Sequence, residues 1–478
     1  MISPGDMALR HDIQRLADAG IIKGPVTTWP LAWGPIIADI REAETGDALP
    51  RDVMDAIDRV TRRANWETQT NEVTFDARAS VAEKPTRIRS FQNTPRESAE
   101  ISGGVSYTSD WLAISLHGQA VDGLSHGVAT NAPKGGTAIR NDNSMVGVIL
   151  GNYSISANTL DRWWGPGWDG SLIFSSNARP MPAISIDRNF TDPFKTKWLS
   201  WLGPWDVSMH FAKMERDRFV PNTRIFAMRV TFKPFPSLEL GLSRIAQWCG
   251  NGRPCELSTF GKLFTGRDNR GQAGVTLENE PGNQESGFDA RWSTQIFSKP
   301  VALYGQYIGE DESHRLPADM FGLFGIETSG IWRGHWSYRW FGEIAITISD
   351  FTKSENKVNN AYNHSIYRTG LRYRGRVIGH GIDNDSRVIS TGLMLVNDEE
   401  TQWNALFRFG ALNRAGVPDE RNSLTPTKQD IISLDISHSR VFKYGQIDVG
   451  LGFERIDDIA SNDSSTETRA FLQWRSSY

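Results

Sequence analysis

The chain has 478 residues, of which 52 are basic and 56 acidic, so its formal net charge is -4. This balance gives no excess of basic residues that could bind the phosphates of nucleic acid, so nucleic acid is excluded as a partner. No window approaches the roughly 18 apolar residues that a membrane-spanning helix needs, so a helical membrane protein is excluded as well.

The N-terminal region is predicted to form three short amphipathic helices. The first begins near Ser3 and Pro4 and ends near Gly20, because Pro favours helix starts and Gly favours helix ends. The second fits LAWGPIIADIREAETG, and the third fits LPRDVMDAIDRVTRRANW with its apolar stripe. These helices predict a small bundle over residues 1–65. The opening MISPGDMALRHD lacks the features of a signal peptide, so we expect a cytosolic protein or a mature form with an added Met1.

After Trp66 the apolar period changes from about 3.6 to 2, which indicates strands. GQIDVGLGFER shows the pattern, and DIISLDISH, WLAISLHGQA and SLELGLS repeat it. Alternation alone does not separate a soluble sandwich from a membrane barrel. Segments of about ten residues with Trp or Tyr near their ends, joined by alternating short and long connections, favour an outer-membrane barrel. Such a barrel also suits a chain too long for one ordinary soluble core.

The spacing predicts 18 strands within a transmembrane β-barrel over residues 66–478. We place them near 67–80, 97–108, 111–121, 142–150, 153–161, 181–189, 204–216, 223–232, 238–248, 288–297, 300–309, 320–329, 335–349, 386–397, 401–412, 430–440, 446–455 and 466–478. An even count puts both chain ends on one side. We therefore expect the helical bundle and the C-terminus in the periplasm and the long loops outside the cell.

The final strand, in TRAFLQWRSSY, is predicted to close the barrel against the first strand. Its lipid-facing residues would be Ala470, Leu472, Trp474 and Ser476, and its lumen-facing residues would be Arg469, Phe471, Gln473, Arg475 and Ser477. An apolar Phe471 on the lumen side favours a plugged interior over an open aqueous pore. The terminal Tyr478 is typical of the C-terminal signal by which barrels are assembled.

Two cysteines, Cys249 and Cys255, lie in WCGNGRPC. Five intervening residues do not fit a zinc ribbon, which needs four ligands at tighter spacing. The turn-forming sequence between them predicts a short disulfide-closed loop in an oxidising compartment. Two buried free thiols are the alternative.

The segment RWWGPGWDG combines aromatic rings with polar groups, as carbohydrate sites do when rings stack on sugar faces and polar groups bind hydroxyls. The candidate saccharide-binding residues here are Asp161, Arg162, Trp163, Trp164, Trp168 and Asp169. The alternative is that the tryptophans pack a plug inside the lumen or lie in an aromatic girdle.

A second candidate site lies in SIYRTGLRYRGRVIGHGIDNDSR, which we expect in a long outward loop. Its stacking and basic candidates are Tyr367, Arg372, Tyr373, Arg374 and Arg376, and its hydroxyl-binding candidates are His380, Asp383, Asn384 and Asp385. Arginines suit a polymer with uronic acids, because a guanidinium binds a carboxylate through two hydrogen bonds. The alternative is an internally salt-bridged loop. The DNDS sequence within it favours an Asx turn over a calcium site, because the later bidentate Glu is missing.

Catalytic and metal motifs are missing from the sequence. There is no G-x-S-x-G or H-E-x-x-H, and the nine histidines show no pair at metal-ligand spacing. We therefore predict no catalytic residue, no metal and no cofactor. A surface hydrolase with residues drawn from separate strands is the weakest alternative.

Five segments of the sequence are distinctive: LRHDIQRLADAGIIKGPVTTWPL, DRWWGPGWDGSLIFSSNARPMPAISIDR, RIFAMRVTFKPFPSLELGLSR, STQIFSKPVALYGQYIGEDE and NHSIYRTGLRYRGRVIGHGIDNDSRVISTG. Together they resemble the Wzi family of capsule-assembly proteins. The resemblance implies an outer-membrane protein with an 18-stranded barrel, a periplasmic helical bundle and inward-folded loops that close the lumen. It also implies that the missing signal peptide reflects a mature form.

The resemblance further implies a non-enzymatic outer-membrane lectin. It would bind exported capsular polysaccharide and help to anchor and organise the capsule at the cell surface. The implied partners are capsular polysaccharide, outer-membrane lipid and the capsule export machinery. The polar inward faces also permit a channel for sugars or small solutes, which is the main alternative.

Overall fold

The protein is described by a computed structural model covering residues 1–43, 49–123, 136–264, 276, 282–297, 299–313, 316–416, 419 and 421–476. Three helices precede the sheet, α1 (Met7–Asp18), α2 (Trp33–Ala43) and α3 (Arg51–Glu67), and a short helix α4 (Leu257–Phe264) lies within a later connection. None of the described helices has the length and apolarity to cross a membrane.

The first helix begins later than the sequence predicted. Asp6 caps α1 by accepting a hydrogen bond from the Leu9 backbone N–H at 3.1 Å, so the helix starts at Met7 rather than near Ser3 and Pro4. Ile2 instead pairs with Leu31 in an isolated bridge. An aspartate cap leaves the preceding residues free for this extended pairing.

Eighteen antiparallel strands close into a barrel. In chain order they are Val73–Ala82, Ala99–Thr108, Leu112–Asp122, Thr137–Arg140 with Met145–Leu150, Tyr153–Asn158, Ala183–Arg188, Trp205–Lys213, Arg224–Phe235, Leu238–Trp248, Gly282–Ile296, Lys299–Ser313, Leu316–Trp332, Trp336–Ile346, Arg387–Val396, Gln402–Leu412, Gln429–Phe442, Gly445–Asp458 and Asp463–Arg475. The fourth strand is interrupted, and both of its halves pair with the third. The predicted strand count is confirmed.

The predicted closure between the last and first strands is also confirmed. Arg475 lies opposite Arg78, and Phe471 lies opposite Ala82. The side chains of Arg469 and Gln473 are buried towards the lumen, whereas Leu472 and Trp474 are exposed on the outer face. Ser477 and Tyr478 lie outside the described residues.

Several predicted strand bounds were wrong. The strands predicted at 300–309 and 320–329 extend beyond both of their predicted ends. The strand predicted at 288–297 begins earlier, at Gly282, and ends at Ile296, whereas the strand predicted at 153–161 stops at Asn158. The sequence predicted no element at α4. Its eight residues are too few for a helical period to emerge from a polar connection, and its Phe260 packs against Trp248 and Phe226.

The two ends of the barrel differ in their connections. At one end, which we call the helical end, the bundle packs against the barrel and most connections between strands are two to five residues long. At the other end, the loop end, long segments fold back into the lumen. We call these segments the plug, and they comprise residues 83–98, 159–182, 347–386 and the described part of 413–428.

The plug and the helical bundle meet inside the barrel. Thr28 and Trp29 form a short antiparallel ladder with Trp164 and Trp163, and one hydrophobic core runs from the bundle into the plug. The division of the chain at residues 1–65 and 66–478 therefore stays a proposal. In chain order it separates helices from strands, but in space the two parts share a core.

Candidate functional site

The tryptophans predicted as saccharide contacts lie deep in the plug. Trp163, Trp164 and Trp168 are fully buried. The Trp168 indole donates to Glu327 Oε2 at 2.7 Å, and the Arg10 guanidinium lies 4.0 Å from the centre of a Trp168 ring. These contacts fit the plug-packing alternative, and in this conformation the rings do not reach a polymer at the surface.

The polar residues of the same segment tie the plug to the barrel wall. Asp169 forms an ion pair with Arg408 at 2.6 Å, and both side chains are buried. Arg162 donates to Ser185 Oγ at 2.6 Å and to His210 Nδ1 at 3.0 Å. Half-buried Asp161 pairs with Arg96 at 3.0 Å. These groups are thus engaged within the protein.

Most of the second candidate set is also buried. Arg372 holds Asp383 through two hydrogen bonds, with 3.0 Å between Nε and Oδ2, and Asp383 Oδ2 also accepts from the Ser423 backbone at 2.8 Å. The Tyr367 hydroxyl donates to the Cys249 carbonyl oxygen at 3.2 Å. These contacts fit the alternative given for this segment, an internally salt-bridged loop.

The DNDS sequence forms a turn that is hydrogen-bonded to neighbouring segments of the plug. Asp383 and Asp385 have left-handed backbone conformations, with φ of 56° and 50°. Asp385 accepts from the Asn359 backbone at 2.6 Å, and Asn384 accepts from the Asn422 amide at 2.7 Å. These oxygens therefore accept hydrogen bonds from neighbouring segments of the plug, whereas Asp385 Oδ1 has no partner among the described residues.

His380 is buried beside the Asp169–Arg408 pair. Burial lowers the pKa of His380 to about 4, with Asp169 raising it and Arg408 lowering it further. Its Nε2 atom has no hydrogen-bond partner among the residues that the structure describes. A neutral imidazole in this position packs against the Trp-rich segment near Gly170.

A small hairpin brings one predicted residue to the surface. Arg372–Tyr373 pairs with Arg376–Val377, and the two turn residues, Arg374 and Gly375, have φ of 50° and 79°. Two consecutive left-handed residues are typical of a type I′ turn. Arg374 is exposed and lies 5.4 Å from the centre of the buried Tyr373 ring, whereas Arg376 is half-buried and donates to the Arg87 carbonyl oxygen at 3.0 Å.

Other loops add residues that the sequence did not single out. Phe219 is 55% exposed, and the exposed Arg368 guanidinium lies 4.7 Å from its ring centre. Phe219 N–H donates to Thr369 Oγ1 at 2.9 Å, so its loop packs against the hairpin's loop. Arg374 also lies close enough to Arg140 and Glu215 to repel the first and attract the second.

We call these exposed and half-exposed groups the loop-end surface, comprising Arg140, Glu215, Phe219, Arg368 and Arg374. Within the described part of the chain, none of its three guanidinium groups forms an ion pair with a carboxylate within 4.0 Å, although the Arg374 backbone N–H donates to the Glu215 carboxylate. Glu215 has its own partner, Arg218, at 3.5 Å. The surface therefore has positive groups that are open to an anion, beside an exposed aromatic ring. Phe219 could have been suspected from its place in ERDRFVPN, but the contact between separate loops has no signal in the sequence.

The structure joins Cys249 and Cys255 in a disulfide whose Cα atoms are 4.5 Å apart. Positive φ values at Cys249, Gly250 and Gly252 shape the enclosed turn. Because the Cys249 carbonyl accepts the Tyr367 hydroxyl, this loop supports the same side of the plug as the loop-end surface.

Comparison with known proteins places the chain in a family. The family described as capsule assembly protein Wzi matches residues 68–470. A Klebsiella pneumoniae protein described as an uncharacterized 55.8 kDa protein in the cps region is 30% identical over 413 residues, covering 85% of this chain and 77% of that protein.

A solved structure is similar over the whole fold. It is described as Wzi, an outer membrane protein involved in group 1 capsule assembly in Escherichia coli and a carbohydrate binding β-barrel, and it has 25% identity and a TM-score of 0.84 over 100% of this chain and 99% of that one. The shared barrel places this protein in the outer membrane. With the family match spanning most of its length, the chain belongs to the Wzi family of capsule assembly proteins.

Proposed function

We propose that this protein binds capsular polysaccharide through its loop-end surface and thereby helps to anchor and organise the capsule. The observation that carries the proposal is a group of arginines beside the exposed Phe219 whose guanidinium groups form no ion pair with a carboxylate of the described residues. The carbohydrate binding stated for the Escherichia coli relative supports the same class of ligand.

The orientation belongs to this proposal. The loop end faces the cell exterior, and the helical end faces the periplasm, because short turns are typical of the periplasmic side of such barrels and long loops of the outer side. The loop-end surface then meets polymer as it leaves the cell. The outward apolar faces contact outer-membrane lipid, and the capsule export machinery is a further partner at this site of polymer delivery.

The ligand chemistry follows from the surface charges. A guanidinium binds a carboxylate in a planar, two-bonded geometry, while a ring such as Phe219 packs against the C–H face of a sugar. The surface therefore favours a polymer with acidic sugars over a neutral one. The fifteen residues first predicted as saccharide contacts stay candidates, and Arg374 is the exposed one among them.

Binding would be weak at each repeat and strong over the polymer. A repeating chain presents many copies of the same epitope to many barrels, so individual contacts combine through effective concentration. Such binding needs no deep pocket and no chemical step. We infer a non-enzymatic lectin, and turnover assays on lipid and polysaccharide test the hydrolase alternative directly.

The plug disfavours the channel alternative. A cavity between plug and wall, lined in part by Gln92, Asn404 and Ser437, has a volume of about 40 Å³. This space holds a few water molecules at most and is too small for a sugar ring.

Equilibrium binding of purified capsular polysaccharide to variants tests the proposed site. The double variant Arg140→Gln and Arg374→Gln should bind at least about tenfold more weakly, because each charge-assisted hydrogen bond is worth roughly 1.5–3 kcal/mol. Arg455→Gln at an exposed ion pair is the matched control and should bind like wild type. Equal binding by the double variant and wild type would remove the loop-end surface from the site.

A further inference from the structure

One connection at the helical end differs from its neighbours. Residues 189–204 join the sixth and seventh strands, whereas the other described connections at that end span two to five residues. The segment 190–203 reads FTDPFKTKWLSWLG. We call residues 190–204 the aromatic flap.

The aromatic flap is held in a defined shape by its own hydrogen bonds. Phe190 N–H donates to Asn152 Oδ1 at 2.7 Å, and Lys233 N–H donates to the Pro204 carbonyl at 2.9 Å. Between these ends, a turn continues into a short 3₁₀ helix at Ser200–Leu202, and Ser200 N–H donates to the Thr196 carbonyl at 2.9 Å. The flap is thus a built part of the barrel rim.

Two ring contacts place the flap against the outer face of the barrel. Phe194 stacks on Trp205 with 4.5 Å between ring centres, and Trp201 meets Phe232 edge-on at 6.2 Å. Trp205 and Phe232 lie opposite each other on neighbouring strands. Phe232 points outward, because Thr231 and Lys233 on either side of it are buried towards the lumen.

Large apolar side chains near the tip of the flap are exposed. Trp198 is 89% exposed and Trp201 is 61% exposed, with Leu199 also exposed between them. Lys195 and Lys197 are exposed next to them, and neither forms an ion pair with a described carboxylate. Such an apolar surface is unfavourable in water, whereas tryptophan and lysine are both stable at a membrane interface.

We propose that the aromatic flap binds phospholipid head groups of the leaflet at the helical end. Trp198, Leu199 and Trp201 would enter the boundary between head groups and acyl chains, and the two lysines would bind lipid phosphates. Lipid is the occupant because the flap continues the lipid-facing wall, which ends at this rim in exposed Trp111, Tyr153 and Phe235.

The flap also links the bilayer to the helical bundle. Gly34 in α2 lies so close to the flap that a Cβ atom added to it would be 3.2 Å from the Phe190 ring. A Cβ atom added to Gly24 would be 2.5 Å from Thr191 Oγ1. The base of the flap therefore packs directly on the bundle. Anchoring the flap in lipid would fix the height and orientation of the bundle relative to the membrane, whatever the loop end binds.

A single labelled cysteine tests this anchor. Because both native cysteines are joined in a disulfide, Ser200→Cys provides one site for an environment-sensitive dye while leaving Trp198 and Trp201 in place. In phosphatidylcholine–phosphatidylglycerol vesicles, the dye should show blue-shifted emission and lose most of its intensity to nitroxides placed near the lipid head groups. Met54→Cys, on an exposed part of α3, is the control and should remain accessible to aqueous quencher and not to lipid nitroxide.

Two further variants separate the apolar and charged contacts. Trp198→Ser with Trp201→Ser, in the Ser200→Cys background, should restore aqueous quenching while the barrel keeps its folded migration on gels. In the otherwise wild-type flap, nitroxide attached to phosphatidylglycerol should quench the dye more strongly than nitroxide attached to phosphatidylcholine. Lys195→Gln with Lys197→Gln should abolish this difference. Aqueous quenching of Ser200→Cys equal to that of Met54→Cys would overturn the anchor. Equal quenching by the two nitroxide lipids in the otherwise wild-type flap would overturn the lysine contacts.

Discussion

At the residue scale, neighbouring arginines of one loop have opposite roles. Arg372 is buried and holds Asp383, whereas Arg374 is exposed at the tip of a hairpin. The first arginine is positioned to stabilise the plug and the second to meet ligand. The two roles predict different outcomes for substitutions only two positions apart.

Breaking the buried pair should loosen the plug. Asp383→Asn leaves the Arg372 charge buried without its carboxylate, which costs about 3–5 kcal/mol in buried pairs of this kind. We expect the denaturant midpoint of plug unfolding, followed by near-ultraviolet circular dichroism, to fall accordingly. Asp457→Asn removes an exposed ion pair instead and should leave the midpoint unchanged. A similar midpoint for both variants would show that the Arg372–Asp383 pair does not stabilise the plug.

His380 should make the plug less stable in acid. Its pKa is about 4 in the folded protein because of burial, below the ordinary value of about 6.5. Because the unfolded state takes up this proton first, the stability that neutral His380 permits is complete above about pH 6.5 and is lost progressively as the pH falls from about 6.5 to 4. The full shift corresponds to about 3 kcal/mol.

Thermal unfolding between pH 7.5 and pH 4 measures this effect. His380→Gln should show a smaller loss of stability over that range than wild type. The control is His335→Gln, at a residue exposed at the helical end, and it should keep the wild-type pH dependence. An unchanged pH dependence in His380→Gln would assign the acid sensitivity to other groups.

At the element scale, the sequence predicted what is periodic and missed what is not. A strand in lipid must alternate, and the outward face of GQIDVGLGFER is exposed at Ile447, Val449 and Leu451 as expected. The plug has no such period, because its side chains meet neighbours from many directions. The sequence therefore identified Trp163 and Arg372 as distinctive residues without distinguishing an internal contact from a ligand contact.

The hairpin of Arg374 gives an element-scale prediction. Gly375 has φ of 79°, and Gly375→Ala should strain this turn by about 1 kcal/mol and displace Arg374. We expect weaker polysaccharide binding with the barrel intact. Gly416→Ala is the matched control, since Gly416 has φ of 68° in another loop with open space around it. Equal loss of binding in both variants would indicate a general effect of loop strain.

At the scale of the whole molecule, the barrel is a scaffold whose wall is bonded to the plug and to the helical bundle. Bundle, plug and wall are joined by buried ion pairs such as Arg291 with Asp18 and Arg408 with Asp169, each at 2.6 Å. Strand count and closure followed from the sequence. The loop-end surface did not, because its residues come from one strand and two loops that are distant in the chain.

Because the plug fills the lumen, the barrel is expected to conduct ions poorly. Wild type should be nearly silent in planar bilayers, and Arg408→Gln should produce leak currents, because it leaves Asp169 buried without its ion-pair partner and frees the plug from the wall. Arg455→Gln, at an exposed pair, should stay silent. Steady large currents from wild type would instead favour the channel.

The central claim is that the loop-end surface recognises the acidic groups of a capsular polymer. Its most direct test compares equilibrium binding of purified polymer with binding of the same polymer after its carboxyl groups have been reduced to alcohols, at low and high salt. The account predicts strong, salt-sensitive binding of the native polymer and at least about tenfold weaker binding of the reduced one, since charge-assisted contacts are lost. Equal binding of both polymers, unaffected by salt, would contradict it.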